Sequence, residues 1–495
     1  MINLDSRKLK NINKPARYVG GEVNETIKSS NIKNSIVLCY PNFYEKAMSN
    51  YIVNLLYNNI NDIENIWCKR CFAPDTDLEN LLNENKLPLF SLEDSKSIKQ
   101  SDILLFVIDS ELNYTNFINM LNLGGISIYK EDRKSNTPKI LVLPLNNINT
   151  KPIERFADYI FNYDSEKESI QKLLMFFKYY SATNFVDDSI LLDIGKVTEG
   201  YKDIEIKQIE YGIVPSIRIN NSAIIIDFNY INDSEQIINY IEKSIKLRGI
   251  NKVSFLNYDK IDSYKFCEIV YKIKSNIEGI RILSKNIDFN RYDPEFFDIL
   301  LPCFEPSTVY FNVITCSDKL RERIEVGVKK EKLFEKLNKV FKNNRNSIRL
   351  DFNIGLPEET YEDIDNIFEV IKEIVDIYSK NRAKDKFSMK VNINYYVPSV
   401  LDKDKYNMNS VNKLETKLRY IKEKEYDTVI KLNIEDIASY TTKILLKNGE
   451  EDISDVIFDA FANGARFDLY SKRYNENAWE KALFDNIKIV SQYIS

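Results

Sequence analysis

Six cysteines and no histidine set the limits on what this chain can do chemically. The absence of histidine excludes a Ser-His-Asp or Cys-His mechanism and any zinc site with imidazole ligands. Thiols and carboxylates remain. Cys68 and Cys71 form a Cys-x2-Cys pair, a spacing that suits a redox couple or half of a metal site. A zinc site would need two further ligands. A thioredoxin-like pair should open a helix, whereas this one falls on or beside a strand. The pair is therefore expected to be incidental. Cys39 sits in an apolar run and reads as core. A second group is Arg349, Asp351 and Asn353, which alternate with Ile348, Leu350, Phe352 and Ile354. That period places the polar residues on one face of a strand. They either hold a ligand together with Asn312 and Cys316 or satisfy one another, and the second outcome is the expectation. Asp227 and Asp351 are the candidates for acid–base work.

Short apolar runs alternating with helical spacing must position these groups. In the first part, Ser35–Tyr40, Asn65–Phe72, Ile103–Ile108, Lys139–Leu143 and Tyr159–Phe161 read as strands. Tyr44–Asn58 and Tyr114–Leu123 read as helices, the latter ended by Gly124-Gly125. The pattern predicts a parallel sheet covered on both faces, so residues 31–180 read as a flavodoxin-like, doubly wound domain behind an extension over 1–30. A connector over 181–210 follows. Ala223–Phe228, Lys252–Leu256, Gly279–Leu283, Thr308–Val313, Ser347–Ile354 and Lys390–Tyr396 form a second series of strands, with a helix at Ser234–Arg248 after a capping-box spacing at Asn232 to Glu235. Six β/α units over residues 211–404 suit a partial barrel or an open sheet. Residues 405–495 are expected to be mostly helical. The whole is an α/β chain.

The composition is that of a soluble globular protein: 495 residues, 44% hydrophobic and 29% charged, with a net charge of −5. No global basic field exists for nucleic acid or an anionic membrane. The basic stretch Lys329–Arg345 has its apolar residues at helical spacing and reads as an amphipathic helix with a solvated outer face. No apolar run of membrane-spanning length occurs, and the start, MINLDSRKLK, is unlike a signal peptide. A cytoplasmic location is expected. The 13 glycines fall well short of the roughly 35 that average usage would give, so Gly-rich cofactor loops have little to be built from.

Several stretches, taken in order, carry a resemblance. They are Lys14–Asn24 (KPARYVGGEVN), Pro41–Asn50 (PNFYEKAMSN), Phe72–Pro74, Leu87–Leu92, Glu111–Ile126 (ELNYTNFINMLNLGGI) and Gly464–Trp479 (GARFDLYSKRYNENAW). Together they resemble a family of radical SAM proteins that joins a cobalamin-binding-type domain, a radical SAM barrel and a helical tail. The resemblance implies a [4Fe-4S] cluster held by Cys-x3-Cys-x2-Cys just after the first barrel strand, with S-adenosylmethionine on the fourth iron, and a possible corrin on the first domain.

The chain departs from that pattern where the chemistry should be. Ala223–Phe228 is the candidate first barrel strand, and only Asn229, Tyr230, Ile231 and Asn232 separate it from the next helix. A three-cysteine ligand set needs roughly eight residues. No cysteine occurs between Cys71 and Cys267. A Pro-Glu-Ala-Gly-Thr turn of the family corresponds here to Val313–Ser317, with Ile314 in place of the acid and Cys316 in place of the glycine. Leu143 and Pro144 replace a Gly-Gly pair, and Tyr163–Lys167 replaces a Gly-rich turn. The motif Ile354–Thr360 (IGLPEET) persists. The expectation is a pseudoenzyme, scaffold or partner subunit that has lost the cluster, S-adenosylmethionine and cobalamin. Another protein is the expected partner; membrane and nucleic acid are not. The alternative is an enzyme of a cluster-independent class that uses the inherited barrel pocket, and an active radical SAM enzyme ranks below it.

Overall fold

The computed structural model describes residues 12–22, 25–29, 32–161, 166–183, 213–214, 223–228, 231–284, 287–381, 386–397, 411–424, 429–435 and 437–494. The connector over 181–210 falls almost wholly outside this range, as does most of the Tyr163–Lys167 turn. The chain divides into two compact units, one built from Met1–Ile209 and Thr441–Ile494, the other from Glu210–Tyr440.

In the first unit, β1 (Asn34–Tyr40), β2 (Ile66–Phe72), β3 (Ile103–Ile108), β4 (Lys139–Pro144) and β5 (Tyr159–Ile160) form one parallel sheet in the order β2-β1-β3-β4-β5. In β1, β3 and β4 the apolar runs are continuous because helices cover both faces of such a sheet; every residue of β3 is buried, whereas β2 buries Lys69 and Arg70 within its run. The helices are α1 (Tyr44–Met48), α2 (Tyr51–Asn61), α3 (Thr76–Glu84), α4 (Tyr114–Leu123) and α5 (Glu166–Thr183). The helix expected over 44–58 is two helices. Asn50 makes the break, since its side chain accepts from the amides of Ile52 and Val53 and starts α2 afresh. Leu143 and Pro144 close β4, both buried.

In the second unit, β6 (Ile213–Val214) pairs antiparallel with β7 (Ala223–Asp227), which continues in parallel to β8 (Lys252–Leu256) and β9 (Arg281–Ile282). A second parallel sheet runs β10 (Val309–Ile314), β11 (Ser347–Ile354), β12 (Ser388–Tyr395) and β13 (Ile430–Ile434). Isolated parallel bridges join Ile282 to Phe304 and Asp288 to Tyr310. The helices are α6 (Ser234–Arg248), α7 (Ser263–Asn276), α8 (Phe297–Cys303), α9 (Asp318–Ile324), α10 (Lys330–Lys342), α11 (Tyr361–Asn381) and α12 (Val411–Lys422). Two expectations are corrected. Asp233, not Asn232, caps α6, accepting from the Gln236 amide at 2.8 Å. The sheet also runs past residue 404, because β13 adds a strand within the stretch expected to be helical. On α10, Leu333, Leu337, Val340 and Phe341 are buried, so its apolar face is core as expected.

The remaining helices, α13 (Tyr440–Asn448), α14 (Ile453–Ala462), α15 (Glu476–Asp485) and α16 (Ile487–Ile494), end the chain. From Thr441 onward they belong to the first unit, where Val456, Phe461, Phe467 and Trp479 share one core with Phe106, Phe117 and Phe156. Among the described residues no helix is long and apolar enough to cross a membrane.

Candidate functional site

The second unit presents a polar sheet face. Register aligns Asn312, Asp351, Asn392 and Asn433 across β10 to β13. The Asn392 side-chain amide donates to Asp351 Oδ1 at 2.6 Å, and the Asn433 amide donates to Asn392 Oδ1 at 2.8 Å. Arg349 clamps the same carboxylate with two bonds of 2.8 and 2.5 Å, its guanidinium 4.5 Å over the Tyr310 ring. The Asp351 side chain is 7% exposed against 35% for Arg349. Arg349 and Asp351 therefore satisfy each other. Asn353 lies one rank further along, in register with Asn394. The backbone of Asn312 is committed elsewhere: its N–H donates to Asp288 Oδ1 at 3.0 Å and its carbonyl accepts from the Asn290 side chain at 2.7 Å. Asp227 ends β7, and its side chain lies outside the described part.

At the carboxyl end of β10 the chain turns through Val313–Ser317. Ile314 sits at φ 61°, a conformation that β-branched residues rarely adopt. It packs against Leu320, Ile324 and Leu356, as does Tyr396. Ser317 caps α9 and donates from its hydroxyl to Asp363 Oδ1 at 2.7 Å, while Asp363 Oδ2 accepts from the Thr360 amide at 2.8 Å. This turn is thus tied to the start of α11 and filled with apolar side chains. Nearby, the buried Glu359 accepts from the Gly355 amide at 2.9 Å and from Lys417 at 2.8 Å. Burial raises the Glu359 carboxyl, and the Lys417 charge opposes that rise.

All six thiols are free and buried. Cys68 and Cys71 both lie on β2, three residues apart, so they point to opposite faces of the sheet. Cys71 instead faces Cys39 across the β1–β2 register. Cys267 is on α7, Cys303 ends α8, and Cys316 lies in the turn after β10. Burial lifts the thiols of Cys39, Cys68 and Cys303, and lifts those of Cys267 and Cys316 to about 12. A buried, neutral thiol is a poor nucleophile. Among the described residues, no three His, Cys, Asp or Glu side chains are grouped to hold a metal ion.

A third location was not singled out in the sequence. At the carboxyl edge of the first sheet, five of the stretches that carry the resemblance meet. Arg17 pairs with Glu45 at 2.9 Å and with Asp75 at 3.1 Å. Arg473 reaches Asp75 from the other end of the chain at 2.6 Å. Burial would raise the Asp75 carboxyl, but the Arg473 bond, the Thr76 amide and Arg17 hold it below its ordinary range. Asn42, fully buried, accepts from the Tyr470 hydroxyl at 2.7 Å and donates to Asn113 at 3.3 Å. Asn116 donates to the Pro41 carbonyl at 3.0 Å and accepts from the Phe467 amide at 2.9 Å. Thr115 donates to Asp468 at 2.6 Å. The Phe43 and Phe467 rings stack 4.1 Å apart, 8° from parallel. The signal that could have located this cluster was the set of stretches itself, several of which hold polar or glycine residues at the ends of elements.

Residues 53–201 match the model for the N-terminal part of radical SAM proteins, and residues 220–371 match that of the radical SAM superfamily, more than half of the chain between them. The chain belongs to the radical SAM superfamily. It is 19% identical over 452 residues to an uncharacterized protein of Methanocaldococcus jannaschii, covering 86% of this chain and 90% of that one. Among solved structures, coproporphyrinogen III oxidase from Escherichia coli, described as a radical SAM enzyme, aligns over 38% of this chain and 46% of its own at 13% identity, with a TM-score of 0.26. An A1-type ketoreductase aligns over 91% and 94% at 7% identity, with a TM-score of 0.17. Neither structural alignment bears weight at those scores.

Radical SAM proteins normally hold a [4Fe-4S] cluster and S-adenosylmethionine, and the residues present here do not fit either group. The six thiols are spread over β1, β2, α7, α8 and the turn after β10, and none lies on the segment joining β7 to α6. The turn after β10 offers Ile314 and its apolar neighbours where an ammonium group would need an acceptor.

Proposed function

We propose that this protein is a radical SAM scaffold that has lost cluster and S-adenosylmethionine chemistry and acts as a non-catalytic binding or partner subunit. The observation that carries the reading is the segment between β7 and α6, which holds no cysteine and has no room for the three-thiolate loop. The apolar filling of the turn at Val313–Ser317 supports it from a second strand end. The strand order β2-β1-β3-β4-β5 supports a flavodoxin-like reading of the first unit. The parallel series β7 to β13 supports a partial barrel for the second. A cluster-independent enzyme gains no support from the polar sheet face, because Asp351 is already engaged by Arg349 and Asn392.

Anaerobic reconstitution with iron and sulfide tests this reading. The expected product is colourless, carries no stoichiometric iron and produces no 5′-deoxyadenosine from S-adenosylmethionine under strong reductant. A brown protein with about four irons per chain would overturn it.

A further inference from the structure

The sequence resemblance implies a corrin on the first unit, and the structure disagrees with that implication. A doubly wound parallel sheet takes its ligand outside the carboxyl ends of the strands, where the strand order reverses. In the order β2-β1-β3-β4-β5 that point lies between β1 and β3. The chain leaves β1 through Pro41, Asn42 and Phe43 and leaves β3 through Asp109 and Ser110.

We infer that the segment Gly464–Arg473 is the resident occupant of this crevice, a strap of the protein's own chain seated where the fold would otherwise hold a planar ligand. Several groups at these strand ends that could meet a ligand are already engaged. The face of Phe43 is stacked by Phe467. The Asn42 side chain is held by Tyr470, the Phe43 amide and Asn113. Asp109 accepts from the Tyr40 hydroxyl at 2.6 Å and from Asn113 at 2.9 Å. On α4, the helix that follows β3, Thr115 and Asn116 bind the Asp468 carboxylate and the Phe467 amide. Arg473 closes the far side on Asp75.

Two features mark the strap as fitted rather than loosely laid. Phe467 sits at φ 55°, which a bulky L residue adopts only when its surroundings hold it there. Asp468 is 2% exposed, so a charged group has been buried in order to seat the segment. The contacts define the motif that the crevice reads: an aromatic ring for Phe43, a phenol three residues on for Asn42, and a guanidinium three beyond that for Asp75. This inference stands apart from the loss of the cluster, since it concerns the other unit and other residues.

The test is a titration of the full-length protein with hydroxocobalamin, followed by visible absorbance, with hydrogen exchange of the strap amides measured in parallel. No spectral change and slow exchange at Phe467 and Tyr470 are expected. A spectral shift at micromolar hydroxocobalamin, or exchange at the rate of a free segment, would overturn the inference whatever the iron content. Tyr470→Phe removes a single hydroxyl from the interface and leaves the ring. It is expected to speed exchange of the strap amides by about fivefold to tenfold, the equivalent of one lost hydrogen bond, while amides of the second unit are unchanged. Equal acceleration in both units, or none in the strap, would also overturn it.

Discussion

At the carboxyl edge of the first sheet, a segment near the chain end is held by groups far away in sequence: Thr115 and Asp468 are 353 positions apart. At the carboxyl edge of the β10–β13 sheet, Ile314 meets Leu320, Ile324 and Leu356, all within a stretch of a few dozen residues. The first closure is polar, charged and non-local, and the second is apolar and local. The two differ in what a substitution does to them. In a polar closure, removing one partner strands a buried group that must then do without water. In an apolar closure, removing a side chain forfeits only its transfer and packing contribution. The polar closure should therefore be brittle and the apolar one tolerant.

The largest effect is expected where the second unit departs from that description. Glu359, with its side chain 2% exposed, depends on Lys417 for its charge balance. Lys417→Met leaves the carboxylate buried without a counter-ion and should cost about 3–5 kcal/mol. The double change Lys417→Met with Glu359→Gln should recover most of that. Chemical denaturation of the three proteins checks the order. A loss under about 1 kcal/mol for the single variant would show that Glu359 is carried protonated.

In the first unit, Asn116→Ala removes two bonds at once and strands the Phe467 amide and the Pro41 carbonyl. At about 1–3 kcal/mol for each buried unsatisfied group, a loss of about 2–6 kcal/mol is expected. It should appear in the transition of the first unit, read by fluorescence of Trp67 or Trp479.

Asp468 gives the polar closure a pH dependence. Burial raises its carboxyl to about 6, against the opposing pull of the Thr115 hydrogen bond and the Arg466 charge. A carboxyl raised on folding contributes stability that is fully present below its unfolded value near 4 and is lost as pH rises through about 6. The groups that face it are Thr115, Trp479, Arg466 and, more distantly, Tyr474. Asp468→Asn keeps an acceptor for Thr115 and should stabilise the first unit by about 2–3 kcal/mol at pH 7.5, with the gain vanishing towards pH 4. A gain that did not depend on pH would place its origin elsewhere.

The two closures were also unequally legible in the sequence. Buried parallel strands announce themselves as apolar runs, so β1, β3 and β4 could be read within a residue or two, and the alternation in β11 correctly placed Arg349 and Asp351 on one face. Parity also sets Cys68 and Cys71 apart: three residues make a chelating turn on a helix, but on a strand they point to opposite faces. Ile430–Ile434 was hidden because a five-residue strand beside helical spacing has too few periods to declare itself. The polar closure was illegible for a different reason. Asn42, Asn116 and Asp75 are ordinary loop and capping residues by type, and nothing local says that Tyr470, Phe467 and Arg473 complete them. The apolar closure was visible in outline, because Ile314 and Cys316 stood where the resemblance implied an acid and a glycine.

The smallest expected effect is at Ile314 itself, and it decides whether the apolar closure is as tolerant as its chemistry implies. Two contributions oppose each other there. Ile314 is only partly buried, so shortening it forfeits roughly 1 kcal/mol of apolar contact. Its backbone sits at φ 61°, a strained setting for a β-branched side chain that asparagine tolerates far better. Ile314→Asn should therefore leave the stability of the second unit within about 0.5 kcal/mol of the parent, measured by thermal denaturation. A loss above about 1.5 kcal/mol would mean that the cluster with Leu320, Ile324 and Leu356 is specifically packed. The second unit would then be closed as exactingly as the first, by shape in place of hydrogen bonds.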